Sequence, residues 1–220
     1  NIQGQKGIYG TEDVPGANNV PGARYSSVSW TDANGNLWLF GGYGYSVSAT
    51  ATGDLNDLWM FDPASGQWTW VDGAITIDQP GVYGTEDLPA AANVPGARGG
   101  SVSWMDPNGN LWLFGGLGYD GSGIPGQLND LWKFSPASGQ WTWVDGTTAA
   151  DQAGVYGTED LPAANNVPGG RSGAVSWMDA AGNLWLFGGY GADSAGNRGE
   201  LNDLWKFNPS TEQWTWVVGS

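Results

Sequence analysis

The chain has 220 residues, with 22 acidic side chains against seven basic ones, a net charge of −15, and neither Cys nor His. That charge argues against nucleic acid and anionic membranes, which are held by Lys and Arg. Missing Cys and His remove disulfides, zinc–thiolate and iron–sulfur sites, a Cys nucleophile and the commonest general base.

Charged residues make up only 13%, while 38 Gly and 15 Trp point to many short strands joined by tight turns. After a leader, Asn1–Lys6, the chain opens on Gly7-Ile8-Tyr9-Gly10-Thr11-Glu12-Asp13. This run returns as Gly81-Val82-Tyr83-Gly84-Thr85-Glu86-Asp87 and as Gly154-Val155-Tyr156-Gly157-Thr158-Glu159-Asp160. Leu55-Asn56-Asp57-Leu58-Trp59 recurs 73 residues on at Leu128–Trp132, and again at Leu201–Trp205. Three copies therefore fill the chain, as units 1–73, 74–146 and 147–220. A repeat of this kind is one supersecondary unit that buries its apolar face against its neighbours.

In the first copy the β-like segments are Arg24–Thr31, Leu37–Phe40, Leu58–Asp62 and Gln67–Val71. Asp32-Ala33-Asn34-Gly35-Asn36 and Pro63-Ala64-Ser65-Gly66 are turn chemistry between them, and Gly41-Gly42 closes the second segment. Leu-Trp-Leu-Phe is apolar on both faces, as a strand between two packed layers must be. The first segment carries small residues: Ser26, Ser27 and Ser29, then Gly99, Gly100 and Ser101, then Ser172, Gly173 and Ala174. Bulky Trp crowds the other three segments: Trp38, Trp59, Trp68 and Trp70, then Trp112, Trp132, Trp141 and Trp143, then Trp185, Trp205, Trp214 and Trp216. Small residues inside and large ones outside fit sheets radiating from an axis, the wedge geometry of a β-propeller. These tryptophans are expected to serve core packing and assembly rather than sugar stacking.

At this point the residues resemble the kelch repeat: four hydrophobic residues, a double glycine, then an aromatic followed by Trp. Leu37–Gly42, Leu111–Gly116 and Leu184–Gly189 carry the first part. Phe61 with Trp68, Phe134 with Trp141 and Phe207 with Trp214 carry the second. An Arg opening the first segment (Arg24, Arg98, Arg171) is also kelch-like. The resemblance implies an all-β fold: a propeller segment of three four-stranded antiparallel blades. The period of about 73 exceeds the family's roughly 50, the excess lying in connectors such as Ala74–Ala97. Three blades do not close a ring, and the open blade faces, rich in Trp and Leu, call for association. A homodimer closing a six-bladed ring is expected, with a larger ring or a fibre as the next alternatives.

In a four-stranded meander the 2–3 and 4–1 connections lie on one face, and both are long here, so that face is the expected binding face for a peptide or glycan. Arg24, Arg98 and Arg171 there either grip a ligand carboxylate or pair internally with Asp57, Asp130 and Asp203. Glu12-Asp13, Glu86-Asp87 and Glu159-Asp160 offer hard oxygen ligands for Ca²⁺, though solvated loops or anchors to the arginines suit their spacing better. No other metal or cofactor is indicated. Tyr43, Tyr45, Tyr119 and Tyr190 in the 2–3 loops are candidate sugar contacts or loop packing. Each candidate recurs in every copy, whereas an active site is normally one asymmetric constellation, so a non-catalytic binding or self-assembly module is expected. Two alternatives remain: an engineered, consensus-like scaffold, and a fragment of a secreted bacterial propeller that binds or processes sugars.

Overall fold

The computed structural model describes residues 4–219, and every regular element among them is a strand. The first sheet contains β1 (Arg24–Tyr25), β2 (Val28–Thr31), β3 (Leu37–Tyr45), β4 (Thr52–Asp62) and β5 (Gln67–Asp72). Both β1 and β2 pair antiparallel with β3, so they are one inner strand broken in two, and the sheet is a four-stranded meander. The second sheet repeats this with β6 (Arg98–Gly99), β7 (Val102–Met105), β8 (Leu111–Tyr119), β9 (Pro125–Ser135) and β10 (Gln140–Asp145). The third does so with β11 (Arg171–Ser172), β12 (Val175–Met178), β13 (Leu184–Ala192), β14 (Arg198–Asn208) and β15 (Gln213–Val218). The chain is thus an all-β propeller segment of three blades.

The inner strand breaks at Ser26, Gly100 and Gly173, which adopt φ of 58°, 68° and 68°. The break turns the backbone toward the next blade. Gly100 N–H donates to Ser26 O at 2.9 Å, and Gly173 N–H to Gly100 O at 2.8 Å, a relay around the axis. Small residues are needed there for room, as the composition gradient implies. One large residue per blade departs from that gradient: Trp30, Trp104 and Trp177 lie on the inner strands β2, β7 and β12.

The second and third strands are longer than the sequence suggests. β3 does not stop at Gly41-Gly42 but runs through it to Tyr45, and β4 starts at Thr52 rather than Leu58. The glycines absorb the irregularity as a bulge, with φ of 63° and 94° and a register shift between Phe40 and Gly42. A Cβ on Gly41 would stand 2.7 Å from the Arg98 carbonyl oxygen, so the next blade's backbone excludes any side chain. The expected long 2–3 loop is therefore a β-ribbon with a short tip. The 4–1 connector also departs from expectation: it straps its own blade's outer edge, through bridges Gly16↔Trp68, Ala90↔Trp141 and Ala163↔Trp214.

Successive blades pack front on back. Val28, Trp30, Trp38 and Phe40 of blade 1 bury against Leu111, Leu113, Phe134 and Trp141 of blade 2. Val102, Trp104, Trp112 and Phe114 repeat this against Leu184, Leu186, Phe207 and Trp214 of blade 3. Phe40 meets Trp141 at 5.4 Å between ring centroids and Phe114 meets Trp214 at 5.3 Å, both edge-on.

The turns between the last two strands of each blade need a left-handed residue, supplied by Gly66 and Gly139 but by Glu212 in blade 3, at φ 52°. Glu212→Gly removes that strain and is expected to raise unfolding free energy by about 0.5–1 kcal/mol in urea titration.

Candidate functional site

The three arginines are used internally. Arg98 donates from its two terminal nitrogens to Asp130 at 2.5 and 2.7 Å, from Nε to Gly96 O at 2.9 Å, and to the Gly115 carbonyl of the double glycine at 3.1 Å. Asp130 also accepts from Tyr83 Oη at 2.6 Å and Trp132 Nε1 at 2.7 Å. Arg24–Asp57–Tyr9–Trp59 and Arg171–Asp203–Tyr156–Trp205 repeat the arrangement. All six charged side chains are at most 5% exposed. Burial, then the charge of Asp130, push the Tyr83 phenol far above its usual range, so it stays a donor. Each cluster joins the inner strand, the bulge, the third strand and the connector of one blade. The carboxylate expected to pair internally is the one observed, and none of these three guanidiniums faces outward to grip a ligand.

The acidic pairs lie on the outer edge, away from these clusters. Asp13, Asp87 and Asp160 adopt φ of 60°, 60° and 61° and donate their N–H groups to Trp70, Trp143 and Trp216 carbonyls at 2.8–2.9 Å. Asn19, Asn93 and Asn166 pin the same straps to the carbonyls of Trp68, Trp141 and Trp214 at 3.1 Å. Glu12, Glu86 and Glu159 are exposed on the straps. It is Tyr9, Tyr83 and Tyr156, not these carboxylates, that anchor the connectors to the arginine clusters. Among the described residues no group of three or more carboxylates is placed to hold a metal ion. Burial lifts Asp145 to about 7, against the pull of the Gly146 N–H, with Glu86, Asp87 and Glu212 adding to the rise. Asp72 rises to about 6 through burial, with Glu12 and Asp13 adding.

The tyrosines divide. Tyr43 and Tyr190 are exposed beside the axis, while Tyr45 and Tyr119 are half-buried. Tyr25 and Tyr43 stand 5.5 Å apart and, with Asp54 and Leu117, line a hollow of about 330 Å³ at the axial mouth. Burial and neighbouring Asp78 raise Asp54 to about 6. Gln127 and Glu200 stand at its place in the other blades, so this mouth is not threefold uniform.

The largest asymmetry is at the two end blades. Val28, Trp30 and Phe40 are 8%, 5% and 1% exposed, whereas Val175, Trp177 and Phe187 at the same places in blade 3 are 49%, 54% and 41% exposed. Trp177, Met178, Trp185, Phe187 and Leu204 line a hollow of about 450 Å³ on that front. Blade 1 shows the complementary loss: Leu37 is exposed and Phe61 and Trp68 are half-buried, where Leu111, Phe134 and Trp141 are fully covered. Of the outer-strand tryptophans, Trp38, Trp59, Trp112, Trp132, Trp141, Trp205 and Trp214 are buried, and Trp68, Trp70, Trp143, Trp185 and Trp216 are half-buried. Trp177 joins this exposed front, and the Val-Ser-Trp alternation of the inner strand, which puts Val and Trp on one face, is the signal for it.

The fold defines the class: an all-β propeller segment of three blades, an architecture that 148 solved chains match. One of these, a structure of YjhT, is similar with a TM-score of 0.59 over 92% of this chain at 17% identity. The chain spans about half of that one, 54%. No protein-family model matches the sequence, and no curated protein matches it.

Two outcomes follow from these sites. Arg98→Ala leaves Asp130 buried and unpaired, and is expected to cost about 3–5 kcal/mol in denaturant unfolding. Asp145 and Asp72 have folded-state pKa values above the ordinary carboxylate value, so their contribution is greatest below about pH 4 and is lost as pH rises through 6 to 7. Melting temperature is expected to fall between pH 5 and pH 8, and Asp145→Asn to flatten that decline.

Proposed function

We propose that the chain is a non-catalytic, kelch-like half-propeller that completes a six-bladed ring with a second copy and presents its axial mouth for binding. One observation carries the reading: the exposed front of blade 3 and the exposed back of blade 1 are the surfaces that fit each other twice inside the chain. Each seam joins unlike faces, front on back, and the two-fold axis of the ring exchanges the two seams. Fully burying one large apolar side chain is worth about 1.5–3 kcal/mol, so Val175, Trp177 and Phe187 against a partner's blade 1 supply a strong drive. Similarity to about half of a longer solved chain is in keeping with a half-ring. The mouth, with Tyr25, Tyr43 and Asp54, has the aromatic and carboxylate character that suits a glycan.

Light scattering on gel-filtered protein is expected to give twice the chain mass of 23.1 kDa. Trp177→Asp is expected to return it to the chain mass with its strand content intact. A monodisperse 23.1 kDa species from the unaltered chain overturns the reading.

A further inference from the structure

Blade 3 has a second opening besides its apolar front. A groove of about 480 Å³ runs beside the tip of β13 and β14, with Tyr156, Asp193, Arg198, Gly199, Glu200 and Trp216 in its wall. In blades 1 and 2 the same place is filled by the chain itself. On blade 1 the occupant is the segment after β5: Ala74 N–H donates to Asn56 Oδ1 at 3.1 Å, Val47 N–H to Ile75 O at 3.3 Å, and Asp78 N–H to Asp54 O at 2.8 Å. On blade 2 it is the segment after β10, where Gly121 N–H donates to Thr148 O at 3.0 Å and Asp151 N–H to Gln127 O at 2.7 Å. The floor glycines record the difference. A Cβ on Gly53 would strike Asp78 and Ile77, and one on Gly126 would strike Asp151, whereas Gly199 has nothing within 4 Å.

The repeat register identifies the segment that belongs in the third groove. Gly7, Gly81 and Gly154 are equivalent, so Gly4-Gln5-Lys6 stands where Asp78-Gln79-Pro80 and Asp151-Gln152-Ala153 stand. The backbone agrees: φ is 69° at Gly4, 61° at Asp78 and 64° at Asp151. Carbonyls of Gln5, Gln79 and Gln152 accept from Ala23, Ala97 and Gly170 N–H at 2.8, 2.9 and 2.9 Å. Those bonds tie each segment to the blade that follows it. The Asp78 and Asp151 segments also line the blade before them, and among the described residues no blade stands before blade 1.

We infer that the Gly4-Gln5-Lys6 segment of one copy lies in the blade 3 groove of the other, so that each seam is closed by an exchanged strap as well as by apolar faces. The inference rests on the ring reading and adds the segment that crosses the seam. In that seat Gly4 N–H takes the Glu200 carbonyl, as Asp78 N–H takes that of Asp54. One bond is missing from it. Asp78 Oδ1 accepts from Asp54 N–H at 2.9 Å and Asp151 Oδ1 from Gln127 N–H at 2.8 Å, and Gly4 has no carboxylate to match. The strap at the seam is therefore looser than the two inside the chain.

The chain has no Cys, so an engineered pair is unambiguous. Gly4→Cys with Gly199→Cys is expected to give a disulfide-linked dimer on mild oxidation, while each single variant runs as a monomer on a non-reducing gel. Gly53→Cys with Asp78→Cys, the same pair within one chain, is the geometric control and closes intramolecularly. Dimer mass in solution with the control closed and no interchain disulfide overturns the strap and leaves the ring standing; a monomeric mass overturns both. Independently, removing residues 1–5 is expected to raise the dimer dissociation constant about tenfold, the scale of one or two lost hydrogen bonds. An unchanged constant overturns the strap.

Discussion

The interaction on which the rest of each blade depends is the buried guanidinium–carboxylate pair near the axis. Arg98 and Asp130 lie 32 positions apart, and the pair draws in the connector through Tyr83 and the bulge through the Gly115 carbonyl. A buried ion pair adds little net stability over well-packed apolar residues, because desolvating two charges costs about as much as their attraction returns. Its contribution is positional. Four hydrogen bonds from the guanidinium and both carboxylate oxygens have a set direction, so inner strand, third strand and connector come together in one register. With register fixed, the large aromatic side chains of one blade meet the next at the same places each time.

Close approach between blades follows from that register. The double glycine sits where the neighbour's Arg98 or Arg171 carbonyl passes within 3 Å of a would-be Cβ, and at Gly188 of blade 3 no such neighbour is present. The same contrast recurs at Gly199 and across Val175, Trp177 and Phe187. Backbone, groove and apolar face thus agree, by three kinds of observation, that the front of the third blade is uncovered where those of the first two are covered.

The sequence carried the blade count, the strand order, the turn residues and the core tryptophans, because each is written locally and repeated. Leu37–Phe40 followed by Gly41-Gly42 marks an apolar strand and a special backbone without any need for tertiary information. Strand extension beyond the glycines was not legible: Tyr43-Gly44-Tyr45 and Thr52-Gly53-Asp54 read as loop by composition, and they pair only because a bulge lets the hairpin continue. The arginines were legible as residues and ambiguous in role, since the choice between ligand and internal carboxylate turns on burial. The course of the acidic connectors was not legible because a long connector suggests a free loop, whereas Asn19, Asn93 and Asn166 pin them to outer-strand carbonyls. The alternation puts Trp30, Trp104 and Trp177 on the same face, and only the place of blade 3 in the series leaves Trp177 exposed.

Front-on-back stacking also sets an order in time. During synthesis the front of blade 1 stays uncovered until the back of blade 2 has emerged, and the front of blade 2 waits in turn for blade 3. The backs of blades 2 and 3 are nearly the same surface, so the nascent chain is protected from mispairing chiefly by arrival: the correct partner is the first to become available. The connector enforces this, since Tyr83 and Tyr156 dock each new blade only through its own third strand. Refolding of the 220-residue chain from denaturant lacks that schedule and offers every front more than one back at once.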